Sequence, residues 1–126
     1  MGLDAEALAR HLGAHPAAAD VLAIWEAAAP AVHLAYRACD EVLAYLAAFA
    51  ALRGRPLTPA ERRQALDEQL RQKVLPRLRA GQPGLEEALR RLADLAGPEE
   101  APRYPLAHAW LARQLELHAQ TGTLGL

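Results

Sequence analysis

Apolar residues recur at steps of three and four along most of the chain, in segments that proline and glycine separate. This spacing places side chains on one face of an α-helix, whereas a strand alternates at every second residue. Runs of valine, isoleucine, threonine and tyrosine, which favour strands, are absent. The pattern predicts an all-α fold, a compact bundle of five or six helices. The longest apolar row is Leu34, Ala38, Val42, Tyr45, Phe49 and Leu52.

Proline, glycine and capping residues mark the helix boundaries. Thr58, Pro59 and Glu61 occupy the N-cap, N1 and N3 positions of a capping box, with proline where its missing N–H costs nothing. Pro76 should kink or end that helix near Lys73, because proline has no backbone donor. The apolar row of this fourth helix is Leu66, Leu70, Val74 and Leu78. The other helices are predicted over residues 3–12, 17–28, 34–52, 85–96 and 106–119, the last with Trp110 as its anchor.

The length of 126 residues predicts a single domain over residues 1–126. The single cysteine, Cys39, cannot form an internal disulfide, which fits a reducing compartment. The longest apolar run, residues 42–52, is far shorter than the ~20 residues that a membrane span needs. We therefore expect a cytoplasmic protein without a membrane partner.

Charge is uneven although the net charge is −1. Residues 51–91 carry ten basic against five acidic residues, whereas both flanking segments are net acidic. Such a basic segment is suited to an acidic partner or to nucleic acid; the alternative is a solvated helix face with acidic residues interspersed. The candidate partner-binding residues are Arg62, Arg63, Arg71, Lys73, Arg77 and Arg79.

The sequence excludes several kinds of active site. Serine and asparagine are absent, which excludes a serine nucleophile, and there is no G-x4-G-K-[ST] motif to cradle a nucleotide's phosphates. His11 and His15 have the spacing of two metal ligands, but Gly13 and Pro16 interrupt their helix. The acidic pairs at 40–41, 67–68 and 86–87 point about 100° apart on a helix, so most are expected to be solvated. We expect no catalytic residue, no metal and no cofactor.

One short pattern keeps an enzymatic alternative open. Arg113 and His118 form an R-x4-H pattern, with the polar Gln114 after the arginine. This resembles the signature of HEPN ribonucleases, helical dimers that use arginine and histidine on RNA. The resemblance implies a small homodimeric ribonuclease or RNA-binding helical protein. The other interpretation is a surface arginine and a histidine that the helix dipole favours near a C-terminus.

Two segments of the chain, "HLAYRACDEVLAYL" at 33–46 and "ALDEQLRQKVLPRLRAG" at 65–81, stand out together. In this order they resemble the C-terminal helical lid of McrB-like and related MoxR-like AAA+ NTPases. In that family a Tyr-Arg helix start leads into a "DEVL" helix, and a D-x-Q-x-x-Q-K-[IV]-L-P-[KR]-L segment follows. A later segment, "YPLAHAWLARQLELH", is similar to the closing lid helix, so the resemblance covers roughly residues 15–120. The matching residues are Tyr36, Arg37, Asp40, Glu41, Asp67, Gln69, Gln72, Lys73, Val74, Leu75, Pro76, Arg77 and Leu78.

The resemblance implies a lid without its NTPase core, because the Walker motifs are missing. It implies a non-enzymatic interaction module whose partner is a P-loop NTPase core or subunit, and it allows weak nucleic-acid binding. An arginine at the start of a lid helix can reach the nucleotide's γ-phosphate in that family, and Arg37 is the matching residue. The alternative for Arg37 is an ion pair with Asp40 or Glu41 on its own helix.

Overall fold

The computed structural model of the protein describes residues 4–121, apart from the side chains of His118 and Thr121. Within that range the all-α prediction is confirmed, because six α-helices and no strand are formed. None of the described helices is both long and apolar enough to cross a bilayer. The helices are α1 (Ala5–Leu12), α2 (Ala18–Ala28), α3 (Tyr36–Arg53), α4 (Pro59–Gln69), α5 (Leu85–Ala96) and α6 (Pro105–Thr121).

The helices enclose one hydrophobic core. Helix α5 packs against both α2 and α6, α3 packs against α4, and α4 also contacts α6. Helix α1 packs on α2. Leucine, valine and alanine side chains from all six helices fill the interior, together with Ile24, Trp25 and Tyr104. Tyr104 is fully buried immediately before α6, whereas the predicted anchor Trp110 is only partly buried against the core.

The predicted helix starts are confirmed where they rest on caps. The Asp4 side chain accepts a hydrogen bond from the Ala7 N–H at the start of α1. At α4 the Glu61 N–H donates to Thr58 Oγ1 at 3.2 Å, and the Thr58 N–H donates to Glu61 Oε1 at 2.9 Å, which completes the capping box. Helix α5 has the predicted bounds, and its predicted inward residues are all buried: Leu85, Leu89, Leu92 and Ala96.

A π-helix, Leu70–Val74, continues α4 and is followed by a 3-10 turn, Leu75–Arg77. The predicted apolar row of this segment explains why a π-helix forms here, because its members follow one another at strict steps of four. In an α-helix each step of four overshoots a full turn by about 40°, so such a row drifts away from the core. A π-turn closes i→i+5 bonds and holds more residues per turn, which offsets the drift. All four members of the row are buried: Leu66, Leu70, Val74 and Leu78.

Pro76 ends the helical path as predicted. The backbone leaves helical geometry at Leu78, which is extended with φ −83° and ψ 119°. The regular α-helix gives way earlier than predicted, after Gln69 rather than near Lys73. From residue 70 to residue 74 the chain stays helical in the wider π form. Both the proline and the packing of the apolar row therefore affect this segment.

The predicted apolar row of α3 is wrong in its C-terminal half. Val42 is buried, but Tyr45 and Phe49 are only partly buried and Leu52 is 87% exposed. The buried face of α3 is Ala38, Cys39, Val42 and Leu46, rotated by about 50° from the predicted row. The reason is that α3 packs chiefly against α4, so only one side of it is covered. Leu34 is buried as predicted, although it precedes the helix.

Asp67 is an exception to the expectation that the acidic pairs are solvated. Its side chain is only 4% exposed. Its carboxylate accepts hydrogen bonds from the backbone N–H groups of Leu106 and Ala107, at 2.8 and 2.9 Å. The neighbouring Glu68 accepts a hydrogen bond from the hydroxyl of Tyr45 on α3. This acidic pair therefore ties α4 to two other helices.

Candidate functional site

The first turns of α3 bring together most of the polar residues that the sequence singles out. On one side Asp40 faces His11 of α1, and on the other Glu41 faces Lys73 of the π-helix. Neighbouring residues on a helix point about 100° apart, so Asp40 and Glu41 can serve two different partners. The start of α3 is therefore the candidate functional site.

Two cations contact Glu41, and the charge of a third acts on it. Lys73 Nζ donates to Glu41 Oε2 at 2.7 Å, and Arg37 Nε lies 3.5 Å from Glu41 Oε1. The hydrogen bond and the charge of Lys73 lower the pKa of Glu41 below its ordinary value, and Arg37 and Arg77 act in the same direction. We call Arg37, Lys73 and Arg77 the basic cluster. Because Arg37 and Lys73 pair with the same carboxylate, positive charge is in excess here.

The basic cluster faces solvent. The Arg37 side chain is 90% exposed, Arg77 is exposed, and Lys73 is partly exposed. Arg37 therefore makes the ion pair with Glu41 that the sequence offered as an alternative, but that pair leaves most of the guanidinium open. An exposed ion pair of this kind contributes little to stability. The cluster is thus available to bind an anion.

The other basic residues predicted to face a partner are spread over the surface. Arg62 is partly buried, and its Nη1 donates to the Leu57 carbonyl at 3.1 Å. Arg63 is partly buried and lines a cleft with Arg103. Arg71 is exposed, and Arg79 lies in a groove beside Trp110 on α6. Lys73 and Arg77 are the two of the six that join Arg37.

The ribonuclease alternative rests on α6. Arg113 is exposed on that helix, while the side chain of His118 lies outside the described residues. Gln114, the polar residue of the pattern, is only 6% exposed, and its Oε1 has no hydrogen-bond partner among the described residues. It faces the groove that Trp110 and Arg79 line.

A second group of side chains lies on the Asp40 side of the same turns of α3, about 100° around the helix from Glu41. His11 Nε2 lies 2.7 Å from Asp40 Oδ1, and the His11 ring stacks on Tyr36 with centroids 4.7 Å apart. One ligand-type atom each of His11, Cys39 and Asp40 lies within 4.8 Å of the other two. Burial, with a smaller effect of the Asp40 charge, raises the pKa of Cys39 to about 11, which disfavours the thiolate form.

Sequence reasoning did not find this group. The sequence suggested pairing His11 with His15, but His15 Nδ1 instead accepts a hydrogen bond from the N–H of Ala17, the residue just before α2. The partners of His11 are instead almost thirty residues away, on α3. The only signal in the sequence was the adjacency of a cysteine and an acidic residue near a predicted helix start.

One known family matches this chain, and the matched residues include both sides of the candidate site except for His11. A family described as "Domain of unknown function (DUF8727)" matches residues 20–123, which run from α2 to beyond α6. No curated protein and no solved structure matches the chain. Since the match spans more than half of its length, the chain belongs to the DUF8727 family.

Proposed function

We propose that this domain is a non-enzymatic interaction module that binds a partner protein through the basic cluster. The observation that carries the proposal is that Arg37 and Lys73 both pair with one carboxylate at the surface, on which the charge of the exposed Arg77 also acts. The π-helix supplies Lys73 to this group, and π-turns inside helices occur frequently at functional sites. An anionic group on the partner would compete with Glu41 for these cations.

Several other residues of the lid-like segments have packing roles that explain their presence. Asp67 caps α6, and Val74, Leu75 and Leu78 are buried. These contacts stabilise the bundle and are not accessible to a partner. Arg37 and Lys73, one from each segment, meet at Glu41 near the surface, and Arg77 is exposed and acts on the same carboxylate. They are therefore the ones we assign to binding.

The partner class we propose is a P-loop NTPase core or subunit. Support comes from the resemblance of residues 33–46 and 65–81 to AAA+ lids, since both segments contribute to the basic cluster. A guanidinium fork matches the geometry of phosphate and carboxylate oxygens, and an ammonium adds a point charge. A nucleotide phosphate or an acidic rim around a nucleotide site would satisfy these donors.

The experiment is a calorimetric titration of the chain with P-loop NTPases encoded beside it, each loaded with ADP or with a non-hydrolysable ATP analogue. The wild type is compared with the triple variant Arg37→Ala, Lys73→Ala, Arg77→Ala. A matched control removes three exposed charges elsewhere: Arg10→Ala, Arg90→Ala, Arg91→Ala. We expect the first variant to lose at least about tenfold in affinity and the control to remain close to wild type.

Equal weakening by the two triple variants would overturn the assignment of the basic cluster, because it would mean that only net charge matters. Failure to bind any NTPase in either nucleotide state would overturn the partner class. Circular dichroism of each variant checks that the helical content is unchanged.

A further inference from the structure

An imidazole, a thiol and a carboxylate lie around one point between α1 and α3. They belong to His11, Cys39 and Asp40 respectively. Their ligand atoms lie within 4.8 Å of one another. Cys39 is fully buried, while His11 and Asp40 are exposed. The point they surround is thus lined by protein on the thiol side and open to solvent on the other. An ion could enter from solvent without opening the core.

We propose that these three residues form a binding site for a divalent transition-metal ion of the zinc type. Nitrogen, sulfur and oxygen ligands are the set that Zn²⁺ accepts, whereas Mg²⁺ and Ca²⁺ require oxygen ligands. Three protein ligands with an open fourth position are the usual number for a zinc ion that keeps a water or an exchangeable ligand.

The packing around His11 favours this role. Its ring is held by stacking on Tyr36, with the two planes 19° apart, so the imidazole approaches Asp40 in a fixed orientation. Zinc lies about 2.0–2.3 Å from nitrogen, oxygen and sulfur ligands, which requires those atoms to draw together by about 1 Å from the widest separation seen. Both His11 and Asp40 can supply this movement because their side chains are at the surface.

The charges balance when the ion binds. Binding converts the Cys39 thiol to a thiolate, whose proton passes to solvent, and Asp40 is already a carboxylate. The two negative ligands then neutralise the charge of the dication, with His11 neutral. The filled site is therefore neutral overall, one unit more positive than the empty site, in which Asp40 carries the only charge; Arg37 lies on the same helical turn. Binding breaks the His11–Asp40 hydrogen bond and replaces it with two bonds to the metal.

The test uses the full chain without an affinity tag and Co²⁺ as a spectroscopic probe. We expect one Co²⁺ per chain, with a near-ultraviolet thiolate-to-cobalt charge-transfer band and the visible bands of a four-coordinate ion. Zn²⁺ should displace the Co²⁺. Cys39→Ala should abolish the charge-transfer band, and His11→Gln or Asp40→Asn should weaken binding by at least about 100-fold, more than the loss of an outer-shell partner. His33→Ala, at an exposed histidine outside the cluster, should bind like wild type.

Zn²⁺ should also raise the melting temperature of the wild type in a concentration-dependent way, and not that of His11→Gln. The two surface variants keep the test decisive if Cys39→Ala does not fold. Saturable binding that persists in His11→Gln or Asp40→Asn, or the lack of any one-to-one binding by the wild type, would overturn the site.

Discussion

The carboxylate of Asp67 accepts a 2.8 Å hydrogen bond from the backbone N–H of Leu106, in the first turn of α6. The first N–H groups of a helix have no partner inside that helix, and a cap usually comes from a residue just before it. Here a buried residue of α4 supplies the cap across 39 positions of sequence. The same bond therefore joins two helices and completes one of them.

Removing this cap should lower the free energy of unfolding by more than the loss of one polar side chain usually does. Asp67→Ala leaves two N–H groups without their acceptor in a buried place, and we expect a loss of about 2–3 kcal/mol in urea unfolding. Asp94→Ala, at an exposed position on α5, is the matched control and should stay within about 0.5 kcal/mol of wild type. A loss for Asp67→Ala as small as the control's would contradict the capping role.

Substitutions along α3 should follow the observed burial and not the apolar row that the sequence predicts. Leu46 is buried, Phe49 is partly buried and Leu52 is exposed. We expect alanine at Leu46 to cost about 2–5 kcal/mol, at Phe49 about 1–2 kcal/mol and at Leu52 close to zero, because the cost follows the buried volume removed. Denaturant melts of the three variants check this order, and a larger loss at Phe49 than at Leu46 would refute it.

Acid should weaken the start of α4 through Glu61. Its hydrogen bond from Arg55, and then the Thr58 backbone bond, lower the pKa of Glu61 from its ordinary value of 4.5 to about 2. The unfolded chain therefore takes up this proton first, so the stabilisation is complete above pH 4.5 and is lost as the pH falls from 4.5 towards 2.

The measurement for Glu61 is stability against pH for wild type and Glu61→Gln, since glutamine at N3 can still complete the capping box. The variant should depend less on pH between 4.5 and 2. Glu99→Gln, exposed in the connection before α6, should keep the wild-type dependence. Identical pH profiles for wild type and Glu61→Gln would rule out this contribution.

The turn before α5 should tolerate a side chain at Gly81 far better than at Gly84. Both glycines have positive φ, +87° and +75°, so alanine at either should cost about 1–2 kcal/mol in backbone strain. A Cβ on Gly84 would also lie 2.1 Å from the carbonyl oxygen of Pro30, whereas one on Gly81 meets nothing. Gly84→Ala should therefore lower the melting temperature clearly more than Gly81→Ala, and equal effects would contradict this close approach.

We expect the purified chain neither to hydrolyse ATP or GTP nor to cleave RNA. The RNA test is the sharper one, because an exposed basic surface binds RNA in a salt-sensitive way without any particular histidine. Wild type and His118→Ala are incubated with mixed-sequence RNA, and binding and cleavage are followed separately. Cleavage by the wild type that disappears in His118→Ala, with binding unchanged, would favour the HEPN-like alternative over the interaction module.

The helices could be predicted from the sequence because their signals are local. The capping box of Thr58 and Glu61 lies within four residues, and Gly97 follows directly on the apolar periodicity of α5. Such signals depend on the backbone conformation and hydrogen bonds of residues that are close together in sequence. The rotation of the buried face of α3 was missed because it depends on which helix covers it.

The candidate site could be predicted only in part. Arg37 and Lys73 were identified separately, but their meeting at Glu41 depends on packing between α3 and the π-helix, 32 positions apart in sequence. The π-helix itself had a signal, the strict step of four in its apolar row, which an α-helix cannot keep on one face. The His11–Asp40 contact had no such signal, since no periodicity links α1 to α3.

The π-helix also sets how far the chain can change in length. A π-turn closes i→i+5 bonds where an α-turn closes i→i+4 bonds, so it holds one residue more. Deleting one residue between 70 and 74 can therefore restore an ordinary α-turn without rotating the chain that follows. An insertion has no such outlet and would turn everything beyond it by about 100° about the helix axis. Lys73 would then leave Glu41, or Leu78 would leave the core. This segment should therefore tolerate the loss of one residue far better than a gain.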